Sequence, residues 1–273
     1  NLGYRIDVTF GSADAEGEEG SSEHPAGKAT IPGVPGAALP IQVDFVRPRM
    51  EGLALLPTGR VLDHVLGIEA TLCCCANPTI FVRAADLLEL LKKEYPAESA
   101  VYEDEEEGRA EVCLPDKYST ALGGLIHDIC KEGALLMGIE HSDAVRVAWL
   151  RDASHFRHAR GVVDARNVDL LGCISTTATG RVHHAFTTTG MINLAVMSCV
   201  EGTIPYEKSR GVGANRGRLR LGMPAGVVEL HASCEKVDGV WSAMRAGLVR
   251  TARTLMSGLV HIPLCGRAAA ATH

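Results

Sequence analysis

Aromatic side chains are scarce in this chain, 4% of 273 residues, which leaves little surface for stacking bases or sugars. An excess of positive charge is also missing: 27 Lys and Arg face 33 Asp and Glu, for a net charge of −6. Nucleic acid as the main partner is thereby disfavoured, since phosphate binding draws on a clustered basic face. An anionic ligand would have to be recruited locally, by backbone N–H groups and a few placed side chains. Long apolar runs are lacking too. The longest, near Met191–Val200, is too short to cross a bilayer, and the first residues carry no apolar signal-peptide core. The nine cysteines are odd in number and irregular in spacing, which argues against a disulfide scaffold and for a reducing, cytoplasmic setting. No helix-phased His/Glu pattern suggests zinc, and no nucleophile-elbow string is present. Neither a metal nor a cofactor is expected.

What is present is ordinary globular composition, 46% hydrophobic and 22% charged, with 29 glycines that suit strands joined by tight turns. Residues 4–10 (YRIDVTF) and 39–46 (LPIQVDFV) alternate as half-buried strands, separated by a polar loop over 11–30 and a GVPG turn at 33–36. Residues 70–82 (ATLCCCANPTIFV) form a longer β-like stretch. Asn77-Pro78 breaks it, because proline cannot donate to a ladder. Cys73, Cys74 and Cys75 alternate faces along that strand, as packing residues or with a catalytic thiol among them. Helices are predicted over 84–94 and 118–139, the latter from Leu122, Leu125, Ile126, Ile129, Leu135 and Leu136. The acidic run Glu103–Glu107 reads as part of a solvated connection spanning 95–117. Residues 146–150 read as a strand, and 163–176 fit helix or strand equally. SRGVGANRGRLRLG (209–222) lacks the strand-then-helix context of a phosphate loop and reads as a hairpin loop. Strands are predicted at 218–222, 226–236, 241–248 and 259–263, the middle pair turning at Val237-Asp238-Gly239.

The most informative segment is HHAFTTTGMINLAVMSCVEGTIP (183–205). Three threonines and a glycine enter a helix expected over 191–199 that is apolar on every side and therefore buried. The first-turn N–H groups of such a helix lack intrahelical partners, and its dipole places partial positive charge there. Thr188 and Thr189 either simply cap the helix or offer donors to a bound carboxylate. His183 and His184 precede it and face opposite ways, so at most one reaches a shared ligand.

Several strings together, GVPGAALPIQVDFV, LLPTG (55–59), CANPTIFVRAADL (75–87), HHAFTTTGMINLAV (183–196) and RTARTLMSGLVHIP (250–263), resemble the PrpF family in order and spacing. The resemblance implies an α+β fold like diaminopimelate epimerase, with a rolled mixed sheet around a central buried helix in each of two domains. It implies isomerisation of small unsaturated polycarboxylates of the aconitate and 2-methylaconitate class, by allylic proton transfer in an interdomain cleft. On it, residues 1–250 correspond to the second domain, 251–263 to a strand returning to a first domain absent here, and 264–273 to a tail. The proton-moving residues would lie on that first domain, so this chain alone is expected to be inactive. Its partners would be the polycarboxylate and either the N-terminal half or another copy of the chain. The substrate-binding candidates are Asn77, which matches the epimerase's Asn-Pro turn, Thr187, Thr188, Thr189, Gly190 and Met191 at the helix start, and Thr58 and His184. Thr187 stands where the epimerase has its second catalytic cysteine, and a hydroxyl is no acid–base at neutral pH, so two-cysteine racemisation is disfavoured. Met223-Pro224-Ala225-Gly226 replaces the family's His-Pro-Ser-Gly-like string. That departure leaves an alternative, a catalytically inactive polycarboxylate-binding or accessory protein of the same fold.

Overall fold

The computed structural model describes residues 5–11, 28–99, 119–140, 142–158, 161–175 and 181–259. In chain order the strands are β1 (Arg5–Phe10), β2 (Ala29–Thr30), β3 (Ala37–Ala38), β4 (Pro40–Val46), β5 (Asp63–Val65), β6 (Ile68–Cys74), β7 (Pro78–Arg83) and β8 (Arg146–Asp152). They continue with β9 (Phe156–His158), β10 (Gly161–Val163), β11 (Leu170–Ile174), β12 (Arg218–Met223), β13 (Gly226–Val237) and β14 (Val240–Thr251). The helices are α1 (Ala84–Glu94), α2 (Pro96–Ser99), α3 (Thr120–Met137), α4 (Thr188–Met197), α5 (Ile204–Lys208) and α6 (Val212–Arg216).

Ten strands form one sheet in the order β1-β4-β14-β13-β12-β11-β8-β7-β6-β5, and β2-β3 and β9-β10 form small ribbons. The sheet is mixed: β7 runs parallel to β8 and β11 to β12, while the other pairs are antiparallel. Its middle strands are buried on both faces because helices cover both. One core packs around α4, the other under α1 and α3. The three consecutive cysteines divide between them: Cys73 and Cys75 join the α4 core and Cys74 the α1/α3 core, as strand alternation requires. Helix α4 presents no polar face, and every residue from Gly190 to Met197 is buried. Gly190 allows the close seating of α4 on β11, since a Cβ there would lie 2.5 Å from Ile174 Cδ1 and 2.9 Å from Thr187 Oγ1.

Several expectations need correction. Helix α4 begins at Thr188, about a turn earlier than the apolar run suggests, because Thr187 caps it and draws the threonines into the first turn. It ends at Met197, short of Cys199. The 209–222 stretch is no hairpin loop: α6 and β12 occupy it, with Gly211 and Gly217 in left-handed conformations at the ends of α6. In α3 the inward positions are Ala134 and Met137, whereas Leu135 is 74% exposed and Leu136 39%. In the undecided 163–176 region a one-turn 3-10 helix at Ala165–Asn167 precedes β11 (Leu170–Ile174). Asn77-Pro78 marks the β6–β7 turn, with proline as the first residue of β7. Strand β14 ends at Thr251, and residues 252–259 form no strand. The predicted 259–263 strand beyond Leu259, the loop over 12–27, the acidic run at 103–107 and the 264–273 tail lie outside the described residues.

Candidate active site at the start of the buried helix

The first turn of α4 lies against the end of β11, where Ile174 meets Gly190, and near the end of β14, where Arg250 meets Thr188. Thr187 accepts a hydrogen bond from Gly190 N–H at 3.2 Å through its hydroxyl and one from Met191 N–H at 2.9 Å through its carbonyl. The N–H groups of Thr188 and Thr189 meet no acceptor among the described residues, so two aligned donors stay available at the positive end of the helix. Met191 itself points into the core.

Two arginines that the sequence reading passed over lie on the same side of the sheet: Arg250 at this turn and Arg146 beside His183 ahead of it. Arg250, near the end of β14, is half-buried and donates to Thr188 Oγ1. No carboxylate pairs with it among the described residues. Burial pulls its guanidinium below the ordinary arginine value, as an uncompensated buried cation requires. Arg146 opens β8 in register with Thr79, whose hydroxyl reaches α4, so the two side chains share the α4 face of the sheet. Arg146 Nη1 lies 3.4 Å from His183 Nε2, and its buried Nε has no partner among the described residues. Burial first, then the Arg146 charge, lowers the His183 pKa and favours the neutral ring. Of the two histidines it is His183 that meets the arginine, while His184 is exposed.

Asn193, one turn into α4, ties the Asn77 turn to this end of the helix. Its Oδ1 accepts from Ala76 N–H at 2.8 Å. Its Nδ2 donates to Asn77 O at 2.6 Å, Thr79 Oγ1 at 2.7 Å and Asn77 Oδ1 at 3.3 Å. With a rise of ~1.5 Å per residue, Asn77 therefore stands roughly one helical turn along α4 from Gly190. The fold brings Asn77 and residues 187–190 together across more than a hundred residues of sequence. Met223 flanks them, its sulfur accepting from Phe186 N–H at 3.2 Å.

Thr58 is not brought here. Its hydroxyl donates to buried Asp63 at 2.7 Å, and its loop runs to Val61, which packs on Gly202 beyond the far end of α4. The cysteines of β6 are packing residues. Burial pushes the Cys74 thiol up to about 12 and also raises those of Cys73 and of Cys75, which follows β6, so none is a thiolate near neutrality. Among the described residues no group of three or more His, Cys, Asp or Glu is arranged to hold a metal ion, and no helix is long and apolar enough to cross a membrane.

A family model described as PrpF protein matches residues 8–263. The chain belongs to the PrpF family. Its relatives include proteins named 2-methyl-aconitate isomerase from Cupriavidus necator and Shewanella oneidensis, 29% and 28% identical over 257 residues; each alignment covers 87% of this chain and 59% of the relative. A (4E)-oxalomesaconate Delta-isomerase from Novosphingobium sp. is 28% identical over 250 residues, covering 89% of this chain and 60% of that protein. The chain thus spans about three fifths of the length of the curated relatives it matches. Among solved structures, that of a methylitaconate-delta-isomerase superposes with a TM-score of 0.65 at 23% identity, covering 86% of this chain and 58% of the other, a likeness of fold. Membership in PrpF, with isomerases of small carboxylates among the relatives, accords with the anion-ready end of α4.

Proposed function

We propose that this PrpF chain is the carboxylate-binding part of an isomerase acting on small unsaturated polycarboxylates of the aconitate class. One observation carries the reading: a half-buried arginine, Arg250, bonded to the first residue of a buried helix, with no acidic partner for it and no acceptor for the helix's leading N–H groups among the described residues. A substrate carboxylate would satisfy both at once, with charge-assisted bonds to the guanidinium and to Thr188 and Thr189 N–H. Arg146, whose Nε has no partner among the described residues, and Asn77 stand ready for a second carboxylate. Removal of an allylic proton leaves charge spread onto a carboxylate, and oriented donors of this kind stabilise it without reorganisation.

The proton-transfer group is assigned to polypeptide beyond the described residues, because the thiols of β6 are held protonated and Thr187 is used as a cap. The reading therefore includes a two-domain arrangement like diaminopimelate epimerase, with α4 of this chain facing the cleft. In this reading the other side of the cleft is supplied by polypeptide outside the described residues or by another copy. A reducing, cytoplasmic setting belongs to it as well, consistent with the free thiols of the described cysteines. The accessory alternative draws no support from the relatives, whose printed activities are isomerisations and a tautomerisation.

Calorimetric titration with cis- and trans-aconitate tests the binding half. Arg250→Met should weaken binding by roughly ten- to a hundredfold, the range for a lost charge-assisted bond, and Arg250→Lys by less. An unchanged Kd in Arg250→Met would remove Arg250 from the site. Failure of every di- and tricarboxylate to bind wild-type chain would sink the functional reading. Deuterium exchange into bound aconitate by the full-length protein, followed by NMR, tests the chemistry.

A further inference from the structure

The opposite end of α4 holds a pair of thiols that the binding site does not use. Cys199 lies in the turn just after the helix, and Cys234 lies on β13, where the ladder with β14 shifts register between Ser233 and Cys234. A bulge at that point re-aims the strand's side chains, and here Cys234 Sγ comes to 3.5 Å from Val196 O. Cys199 Sγ lies 3.5 Å from Ala195 O and 3.8 Å from Ala232 O on β13. The two sulfurs thus rest on adjacent carbonyls of one helical turn, and Cys199 also reaches the strand that carries Cys234, two residues away at Ala232. Both residues are partly exposed, whereas Cys73, Cys74, Cys75, Cys130 and Cys173 are buried.

The pair is electrostatically unequal. The neighbouring Cys234 draws the Cys199 thiol below its ordinary value, against the opposing effect of burial. The neighbouring Cys199, with burial added, pushes the Cys234 thiol up. A partly exposed sulfur that ionises readily beside one that keeps its proton is the arrangement in which an attacking thiol has a resolving partner.

We propose that Cys199 and Cys234 are an oxidisable dithiol, a modification site that a peroxide converts to an intramolecular disulfide. The Cys199 thiolate attacks one oxygen of hydrogen peroxide. The O–O bond breaks, hydroxide leaves, and Cys199 becomes a sulfenic acid. The Cys234 sulfur then attacks the Cys199 sulfur, the S–O bond breaks, and the departing hydroxide takes up the Cys234 proton as water. Overall the two thiols lose two protons and two electrons, and the peroxide is reduced to two molecules of water. A thiol reductant reverses the change by exchange.

The test is peroxide treatment of the reduced, folded chain, read by intact mass, thiol titration and peptide mapping. The expected result is a product lighter by two hydrogens, with two of the nine thiols lost, mapping to a Cys199–Cys234 crosslink and restored by dithiothreitol. Cys199→Ser and Cys234→Ser should each abolish that product. Their folding is checked by circular dichroism, and the wild-type map decides if either variant misfolds. The proposal is overturned by a crosslink between other cysteines, by Cys199 gaining oxygen while Cys234 stays a free thiol, or by no reaction under conditions that oxidise glutathione. Because α4 separates this pair from Arg250, each of these outcomes is independent of polycarboxylate binding.

Discussion

At the scale of single residues, the chain treats its buried charges in two opposite ways. Arg250 is left without an acid, whereas Asp44 is surrounded by donors. Asp44 on β4 is 5% exposed and reaches across β14 over Gly247 to His231 on β13. Arg245 donates to its other oxygen at 2.7 Å, and Gln42 adds a bond at 3.0 Å. Burial alone would raise its pKa, but the bonds from His231, Arg245 and Gln42 outweigh it and hold the carboxyl at about 2. A carboxyl lowered on folding contributes stability that is present above its unfolded value and is lost as pH falls through its folded one. With an unfolded value near 4, Asp44 should contribute about 2 kcal/mol at neutral pH, vanishing between roughly pH 4 and pH 2. Urea denaturation across that range should show the loss in wild type, and Asp44→Asn should flatten it. An equally steep acid profile in Asp44→Asn would assign the loss to other groups. Arg250 has no such compensation among the described residues, which is why burial lowers its pKa instead.

Among the elements, α4 carries both stability and site, and Asn193 is the residue that joins the two roles. A polar amide inside an otherwise apolar helix is costly unless fully bonded. Asn193 is fully bonded, because it receives the Ala76 N–H and supplies the Asn77 carbonyl and the Thr79 hydroxyl. Asn193→Leu keeps the volume but strands those partners, so a loss on the order of 3 kcal/mol is expected in urea denaturation. Ligand affinity should fall with it, since Asn77 loses its anchor; a variant as stable as wild type would show that the strut is dispensable. The elements themselves were largely legible in the sequence. Alternation marked β4 and β13, and an all-apolar run with threonines ahead of it marked α4. The proximity of two candidate segments was legible as well: Asn193 of α4 bonds to the Asn77 turn, one turn along the helix from Gly190. Arg146, Asn193 and Arg250 were not legible, because each gains its role only from a cross-strand or cross-core neighbour far away in sequence. Asn193 did leave one signal, a lone amide in a helix with no polar face. Thr58 and His184 matched strings in order, yet string order does not say where a side chain points.

For the molecule as a whole, the sheet is covered unevenly, and this has a consequence in solution. Helix α4 packs chiefly on β13 and β14, so the apolar face it covers runs out at the sheet edge. There Ile6, Val8 and Phe10 of β1 pair with Phe45, Val43 and Ile41 of β4 and continue the apolar face beyond the helix. They are 47%, 48% and 70% exposed. Strand β1 ends the sheet, so its outer backbone edge has no partner strand among the described residues. Beyond β14, Leu255, Met256 and Leu259 are exposed as well. A flat apolar edge strand invites pairing with another chain, and the exposed row adds apolar area to whatever forms. The chain should therefore self-associate as its concentration rises, more strongly in high salt, where the mutual repulsion of chains with a net charge of −6 is screened. Sedimentation velocity over a concentration series measures this directly. Val8→Lys places a charge in the middle of the row, and because Val8 is half exposed it should leave the unfolding midpoint nearly unchanged while shifting the distribution to monomer. A wild-type chain that stays monomeric at every concentration, or a Val8→Lys variant that associates as strongly, would mean that β1 is not the surface through which copies meet.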